Sequence, residues 1–144
     1  MKVMAIDYGD AHTGVAISDI TGMITGYSTV INEYSRQKVC ERIAELVKLH
    51  SVTEIVVGKP LNMNGTYGER AQKCQDFADM LKAQVGLNIV MWDERRTSVD
   101  ANRMLSDAGK KRKKQKQLVD AVAASLILQG YLDYISMRKS SLDK

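Results

Sequence analysis

Alternating and continuous hydrophobic segments occupy the first 31 residues of the chain. Val3 to Ile6 form a short apolar run closed by Asp7, Gly14 to Asp19 alternate between apolar and polar residues, and Met23 to Ile31 are rich in β-branched residues. Each of these patterns predicts a β-strand. Because only short turns separate the three segments, they predict an antiparallel meander.

The hydrophobic period changes to that of a helix after the third strand. Apolar residues three and four positions apart predict a helix from about Ser35. A second helix is predicted to open at a capping box formed by Thr66 and Glu69 and to end at Gly86. Two continuous apolar runs, typical of buried parallel strands, are Glu54 to Gly58 and Asn88 to Trp92.

Two further helices are predicted beyond the last strand. A short one runs from Thr97 or Ser98 to Ala108, and a longer one runs from about Gln117 to Met137. The element order is therefore βββαβαβαα, and right-handed crossovers add the last two strands to the meander as parallel neighbours. We expect an α/β fold with a mixed five-stranded sheet, in one domain over residues 1–137, and a disordered tail over 138–144.

Composition and charge narrow the class of protein. With 144 residues, two cysteines and no stretch of about 20 apolar residues, the chain is expected to be soluble and cytoplasmic, without disulfides or a membrane partner. The net charge of +4 is unevenly placed, because residues 110–117 (KKRKKQKQ) carry +6 and the remainder is slightly acidic. This basic segment is expected to be mobile when unbound and to contact a polyanion with a strong salt dependence; a solvated loop is the alternative.

Acidic residues stand close to the ends of the predicted strands. Asp7 closes the first strand, Asp93 and Glu94 follow the last one, and Asp120 lies on the edge of the apolar face of the final helix. Carboxylates that converge raise one another's pKa unless a cation holds them. An all-oxygen site of this kind favours Mg²⁺ or Mn²⁺ over zinc, and such ions can assist phosphodiester hydrolysis. The residues alone leave open that Asp7 is a turn residue and Asp120 an acid favoured by the helix dipole.

Four longer sequence motifs are informative, and three of them contain these acids. They are AIDYGDAHTGVAISD (5–19), VGKPLNMNGTYGERA (57–71), DERRTSVDA (93–101) and VDAVAASLILQGYLD (119–133). In these motifs, their order and their spacing, the chain resembles the YqgF (RuvX-like) family of ribonuclease H-like nucleases, roughly from Lys2 to Asp133. An Asp-x-Gly start also occurs in actin-like ATPases and sugar kinases, but this chain is too short for the two domains that those proteins need.

The resemblance implies a ribonuclease H-like fold and a catalytic triad of Asp7, Glu94 and Asp120, which would bind divalent metal and direct water at a phosphodiester. Alternation along a strand puts Asp93 and Glu94 on opposite sides, and the resemblance favours Glu94 as the ligand. The implied function is processing of the 5′ end of precursor 16S ribosomal RNA. Holliday-junction resolution on branched DNA, expected of a homodimer, is the first alternative. A non-catalytic RNA-binding factor for ribosome assembly is the second.

Nucleic-acid contacts are expected around the acids and along the basic segment. This chain has His12 where the family usually has Arg or Lys, VGKP with Lys59 where VGLP is usual, and Arg96 where an apolar residue is common. An ordinary hairpin residue at His12 and a solvated Lys59 are the alternatives. Because aromatic residues are few, recognition should depend on backbone and shape. The residues predicted to bind nucleic acid are Gly9, His12, Lys59, Asn62, Arg95, Arg96, Lys110, Lys111, Arg112, Lys113, Lys114 and Lys116.

Overall fold

Five strands form one mixed sheet in the part of the chain that the structure describes, and helices pack on both of its faces. The computed structural model describes residues 2–60, 68–93 and 112–142, and in the last range it describes side chains over 121–138 only. The elements are β1 (Val3–Asp7), β2 (His12–Ser18), β3 (Thr25–Asn32), α1 (Arg36–His50), β4 (Glu54–Lys59), α2 (Glu69–Val85), β5 (Ile89–Asp93) and α3 (Arg112–Leu142).

The strand order in the sheet is β3-β2-β1-β4-β5. β1, β2 and β3 pair antiparallel, and β4 and β5 are added parallel to β1, so the predicted meander with two parallel strands is confirmed. The carboxyl ends of β1, β4 and β5 consequently lie at one edge of the sheet. We call this edge, marked by Asp7, Lys59 and Asp93, the site edge.

Two hydrophobic cores hold the helices against opposite faces of the sheet. The face that includes Ile6 and Val57 packs against α1 and α2, where Phe77 is fully buried. The face that includes Ala5 packs against α3, where Ile127 is fully buried. Burying side chains of this size stabilises the fold by about 1.5–3 kcal/mol each. Successive residues of a strand point to opposite faces of the sheet. The members of the two cores therefore show to which face each residue at the site edge points.

The ends of α1 and α2 test the local signals in the sequence. α1 begins next to Ser35 as predicted, and Ser35 caps it, since its side chain accepts a hydrogen bond from the backbone N–H of Lys38 in the first turn. Gly86 ends α2 as predicted, in the left-handed conformation at φ 70°. The predicted capping box is wrong, because Gly68 is the N-cap of α2 and Glu69 is therefore the first helical residue and not the third. Thr66, the other predicted member, lies outside the described residues.

The last helix, α3, begins earlier than predicted. Its first residue is Arg112 rather than a residue near Gln117. The backbone of residues 112–117, which was expected to be mobile, is therefore helical. The physical reason is that Lys, Arg and Gln lose little side-chain freedom in a helix, so a basic run continues a helix well.

The same helix also ends later than predicted. It continues to Leu142, so residues 138–142 extend the helix instead of beginning a disordered tail near Met137. The sequence has no glycine or proline after Gly130 that would end it. Among the described helices, none is both long and apolar enough to cross a membrane. The predicted short helix at 97–108 lies outside the described residues.

The two cysteines, Cys40 and Cys74, are buried free thiols. Burial raises the pKa of Cys40 to about 11. Because the thiolate is the reactive form, a thiol with so high a pKa is a poor nucleophile. Cys40 and Cys74 both contribute to the core beneath α1 and α2, so we interpret them as core residues.

A hydrogen bond joins α3 to the start of β4. The Tyr131 hydroxyl donates to Glu54 Oε1, and the Tyr131 ring packs edge-on against Trp92 with ring centroids 5.9 Å apart. Tyr131→Phe keeps the ring and removes the donor. We expect it to lower the free energy of unfolding by about 1.5–3 kcal/mol, the range for hydrogen bonds to charged groups. Urea denaturation at neutral pH measures this loss, with Tyr134→Phe, at a partly exposed tyrosine nearby, as the matched control that changes little.

The pH dependence of the difference in unfolding free energy between wild type and Tyr131→Phe provides a second check. Burial, together with the bond to Glu54, raises the pKa of Tyr131 above its ordinary value. Stability that depends on the protonated hydroxyl is complete below about pH 10, the pKa in the unfolded chain, and is lost as the pH rises further. The difference between wild type and Tyr131→Phe should therefore shrink above about pH 10. A difference that stays constant there would contradict the assigned hydrogen bond.

Candidate active site

Asp7 is the last residue of β1 and is half-buried at the site edge. It pairs with Gly14 of β2, and the chain leaves the sheet immediately after it. Val3 and Ala5 of the same strand belong to the core beneath α3. Alternation therefore puts the Asp7 side chain on the α3 face of the sheet. This is the face covered by the helix whose backbone contains Asp120.

Lys59 and Asp93 end β4 and β5 and are register partners. Val57 and Met91, two residues earlier in the same strands, belong to the core beneath α1 and α2. Alternation therefore puts Lys59 and Asp93 on that face of the sheet. In agreement, Lys59 Nζ donates to Gln75 Oε1 of α2 at 3.4 Å.

The two faces of the sheet separate residues that were predicted to lie together. Lys59 was expected beside the acids; it shares the site edge with Asp7 but lies on the opposite face. The physical reason is that successive residues of a strand point to opposite faces of the sheet. The family motif, which usually reads VGLP, does not show to which face the third position points. The same alternation puts Asp93 on the face away from Asp7.

In the turn between β1 and β2, position 9 has room for glycine but not for a larger residue. A Cβ atom on Gly9 would lie 2.2 Å from the carbonyl oxygen of His12, far closer than atoms can approach. The Gly9 N–H donates to Thr13 Oγ1 at 3.4 Å, and Thr13 is fully buried. Gly9 therefore has a structural role in the turn after Asp7, in addition to the nucleic-acid contact predicted for it.

His12 begins β2 at the site edge. Its Nδ1 lies 2.6 Å from Asn32 Oδ1 of β3. This contact orients the ring across the ends of the two strands. The structure thus shows His12 in a hairpin contact, while the predicted contact with a phosphate stays a prediction.

Arg70, in the first turn of α2, contacts the turn that follows Asp7. One guanidinium nitrogen, Nη2, donates to the carbonyl oxygen of Tyr8, and Nη1 donates to Asp10 Oδ1 at 3.2 Å. The Tyr8 ring stacks on Phe77 with centroids 4.2 Å apart, which holds the same turn against α2. A hydrogen bond with Tyr8 also raises the pKa of Arg36.

Arg70 was not among the predicted site residues, although one signal pointed to it. A cation in the first turn of a helix is disfavoured by the helix dipole, so it is expected to have a specific partner. Arg70 has this position at the end of the motif 57–71, but its partners lie about 60 positions earlier in the chain. The local pattern gives no information about such distant contacts.

Several predicted site residues lie outside what the structure describes. In the described residues, no three acidic, histidine or cysteine side chains come close enough together to hold a metal ion. For five of the predicted site residues, the structure describes the helical backbone but not the side chain: Arg112, Lys113, Lys114, Lys116 and Asp120. Entirely outside the described residues are Asn62, Glu94, Arg95, Arg96, Lys110 and Lys111.

Comparison with known proteins finds close relatives over most of the chain. A model of the RuvX family, described as Holliday junction resolvase, matches residues 1–134. A protein of Ruminiclostridium cellulolyticum, provisionally named pre-16S rRNA nuclease, is 43% identical over 142 residues, which cover 98% of this chain and 100% of the relative. A protein of Bacillus thuringiensis with the same name is 48% identical over 135 residues, 92% of this chain and 98% of the relative.

Solved structures with the same fold include two resolvases. Thermus thermophilus RuvC in complex with a Holliday junction substrate aligns with a TM-score of 0.59 at 13% identity, covering 88% of this chain and 91% of that chain. Fowlpox virus resolvase with Holliday junction DNA aligns with a TM-score of 0.56 at 12% identity, covering 94% and 99%. At these identities the likeness shows the fold alone, and it confirms the predicted ribonuclease H-like architecture.

Proposed function

Because this chain belongs to the RuvX family, we propose that it is a metal-dependent nuclease that processes the 5′ end of precursor 16S ribosomal RNA in the cytoplasm. The observation that carries this proposal is the position of Asp7. Its carboxylate stands at the carboxyl end of a central strand, on the face covered by α3. Strand ends of this kind hold functional side chains on a rigid base.

The course of α3 supports a common site for Asp7 and Asp120. Gln129 Nε2 donates to the Met23 carbonyl oxygen at 3.2 Å, which ties this part of α3 to the turn at the edge opposite the site edge. Nine residues of helix span about 13 Å. Four steps along a strand, from Val3 to Asp7, also span about 13 Å. The helix backbone at Asp120 is thus level with the site edge if α3 runs along the strands.

The chemistry of these residues fits a divalent cation. Asp7 and Asp120 supply carboxylate oxygens, and we propose that Glu94 completes the set as the residue after β5. Hard ions such as Mg²⁺ and Mn²⁺ prefer ligands of this kind. When bound, the ion would activate water and stabilise charge on the leaving oxygen of a phosphodiester.

The remaining predicted contacts serve the polyanionic substrate. We propose that the basic segment 110–117 binds phosphates, and the helical backbone of residues 112–117 supports a defined spacing of its cations. Gly9 and His12 lie at the site edge, where an RNA strand that reaches Asp7 would pass. Lys59 lies at the same edge on the opposite face of the sheet, so we propose that it contacts a phosphate farther along the RNA. Contacts to phosphates position a nucleic acid without reading its sequence, so the choice of cleavage position would come from RNA shape.

Resolution of branched DNA is the second candidate function. The description of the family model, Holliday junction resolvase, favours it. A resolvase must cut two strands symmetrically and is expected to act as a two-fold homodimer, whereas a single-strand RNA processor does not need a second copy. Sedimentation of the protein with and without a four-way junction would reveal such a dimer.

A competition experiment separates the two functions. Labelled precursor 16S RNA and a labelled four-way DNA junction are mixed in equal amounts with the protein and Mg²⁺, and both products are followed. We expect the RNA to be cut at a discrete 5′ position and the junction to survive. Symmetrical cutting of the junction with intact RNA would favour the resolvase. Tight RNA binding without any cut would favour an assembly factor.

A further inference from the structure

We infer that Arg70 is a positioning residue that fixes the turn after Asp7 and so prepares the Asp7 carboxylate for its role. The inference rests on the proposed function and assigns a role to a residue outside the acid triad. It is carried by the contacts of the Arg70 guanidinium with Tyr8 and Asp10, which lie on either side of Gly9. A single side chain thus bridges the turn that begins directly after Asp7.

The turn needs this support because Asp7 is the last paired residue of β1. Its neighbour in the ladder is Gly14, and the chain then leaves the sheet for the turn that leads to His12. A carboxylate that meets two others is repelled by them before a cation binds. A turn that could move would let Asp7 move away, whereas a fixed turn keeps its oxygens in place for the ion.

The contacts of Arg70 match the geometry of a guanidinium group. Its planar fork donates in two directions at once, here to a backbone carbonyl and to a carboxylate. The same group lies over the Tyr8 ring, 5.9 Å from its centroid, and that ring in turn stacks on Phe77. An ammonium group has no such fork, so a lysine at position 70 cannot hold both partners in the same way.

Lys73 provides a matched comparison on the next turn of α2. Its ammonium lies 3.7 Å from Asp10 Oδ1, and its side chain is as exposed as that of Arg70, 41% against 40%. The two cations therefore share one acidic partner and a similar solvent environment. The difference is that Arg70 also bonds to the backbone of the turn. An effect that Arg70 has and Lys73 lacks can be assigned to this backbone contact.

The test compares wild type with Arg70→Gln, Arg70→Lys and Lys73→Gln. We expect Arg70→Gln to lower kcat for precursor RNA about 10- to 100-fold with KM nearly unchanged, since misplacement of a reacting group by about 1 Å costs up to 10²-fold. Arg70→Lys should restore only part of kcat, and Lys73→Gln should behave as wild type. Calorimetric titration with Mn²⁺ should show roughly 10-fold weaker binding to Arg70→Gln, as for other groups that orient a ligand.

Hydrogen exchange gives a readout that needs neither metal nor substrate. The Gly9 N–H, which donates to Thr13 Oγ1, should exchange faster in Arg70→Gln than in wild type or Lys73→Gln. The inference is overturned if the Gly9 amide and Mn²⁺ binding are unchanged in Arg70→Gln. It is equally overturned if KM rises at constant kcat and the salt slope of RNA binding falls by about one, because Arg70 would then contact a phosphate.

Failure of the proposed function gives a different result. If wild type cuts no RNA, the nuclease proposal fails, while amide exchange and Mn²⁺ binding still decide the role of Arg70. If wild type cuts RNA and Arg70→Gln cuts it equally fast, the nuclease proposal stands and the role of Arg70 is wrong. A melting temperature measured for every variant identifies any loss of activity that is due to unfolding.

Discussion

Asp7→Asn is expected to reduce RNA cleavage by about 10³-fold while the protein stays folded and still binds RNA. The substitution keeps the size of the side chain and removes its charge. Under the proposed function, that charge holds the divalent ion at the carboxyl end of β1. Single-turnover cleavage of labelled precursor RNA measures the rate, and a filter-binding titration measures the affinity.

Asp19→Asn is the matched control for this substitution. Asp19 follows β2 at the opposite edge of the sheet, where the Thr21 hydroxyl donates to it at 2.6 Å and lowers its pKa. Removing its charge should leave cleavage within about 2-fold of wild type, because the site lies a full strand length away. Cleavage by Asp7→Asn at the rate of Asp19→Asn would show that Asp7 holds no essential ion.

Gly9→Ala is expected to lower cleavage by at least about 10²-fold, because the turn after Asp7 must move to admit the new methyl group. In the wild-type turn that methyl would lie 2.2 Å from the carbonyl oxygen of His12, which belongs to the backbone of β2 and cannot move alone. The displacement should also weaken the contacts of Arg70 with Tyr8 and Asp10. Steady-state kinetics and a melting curve on the same sample separate the loss of activity from any loss of stability.

Gly86→Ala distinguishes this effect from a general effect of replacing glycine. Gly86 ends α2 at φ 70°, and a Cβ atom there would have no atom within 4 Å. The cost is therefore backbone strain alone, about 1 kcal/mol. Gly86→Ala should melt earlier than wild type but cleave RNA at the wild-type rate below its transition. Equal losses of activity in the two variants would contradict a specific role for the turn.

The strands were predictable because their signals are local. The run Val3 to Ile6 and the run Glu54 to Gly58 are apolar over a few residues, and their pairing follows from the handedness of crossovers. Gly86 was predictable for the same reason, since a glycine after the last apolar position commonly ends a helix. The start of α3 was not predictable, because a basic run is compatible with both a loop and a helix.

The candidate site was predictable only in part. The position of Asp7 was predictable because an acid directly after a short apolar run marks the end of the strand, and its place at the site edge followed from the parallel strands, while its catalytic role stays a prediction. The face of Lys59 was missed because it depends on the exact end of β4, at Lys59 itself. Arg70 was missed because its partners are contributed by a different part of the chain, and only the folded structure joins them.

Metal-dependent cleavage of RNA is the central claim, and one measurement tests it most directly. Labelled precursor 16S RNA is incubated with wild type in Mg²⁺, in excess chelator, and in chelator followed by added Mg²⁺. We predict a discrete cut near the 5′ end in Mg²⁺, none in chelator, and recovery when Mg²⁺ is returned. Cleavage that continues unchanged in chelator, or RNA that is bound but stays intact in all three conditions, would contradict a metal-dependent nuclease.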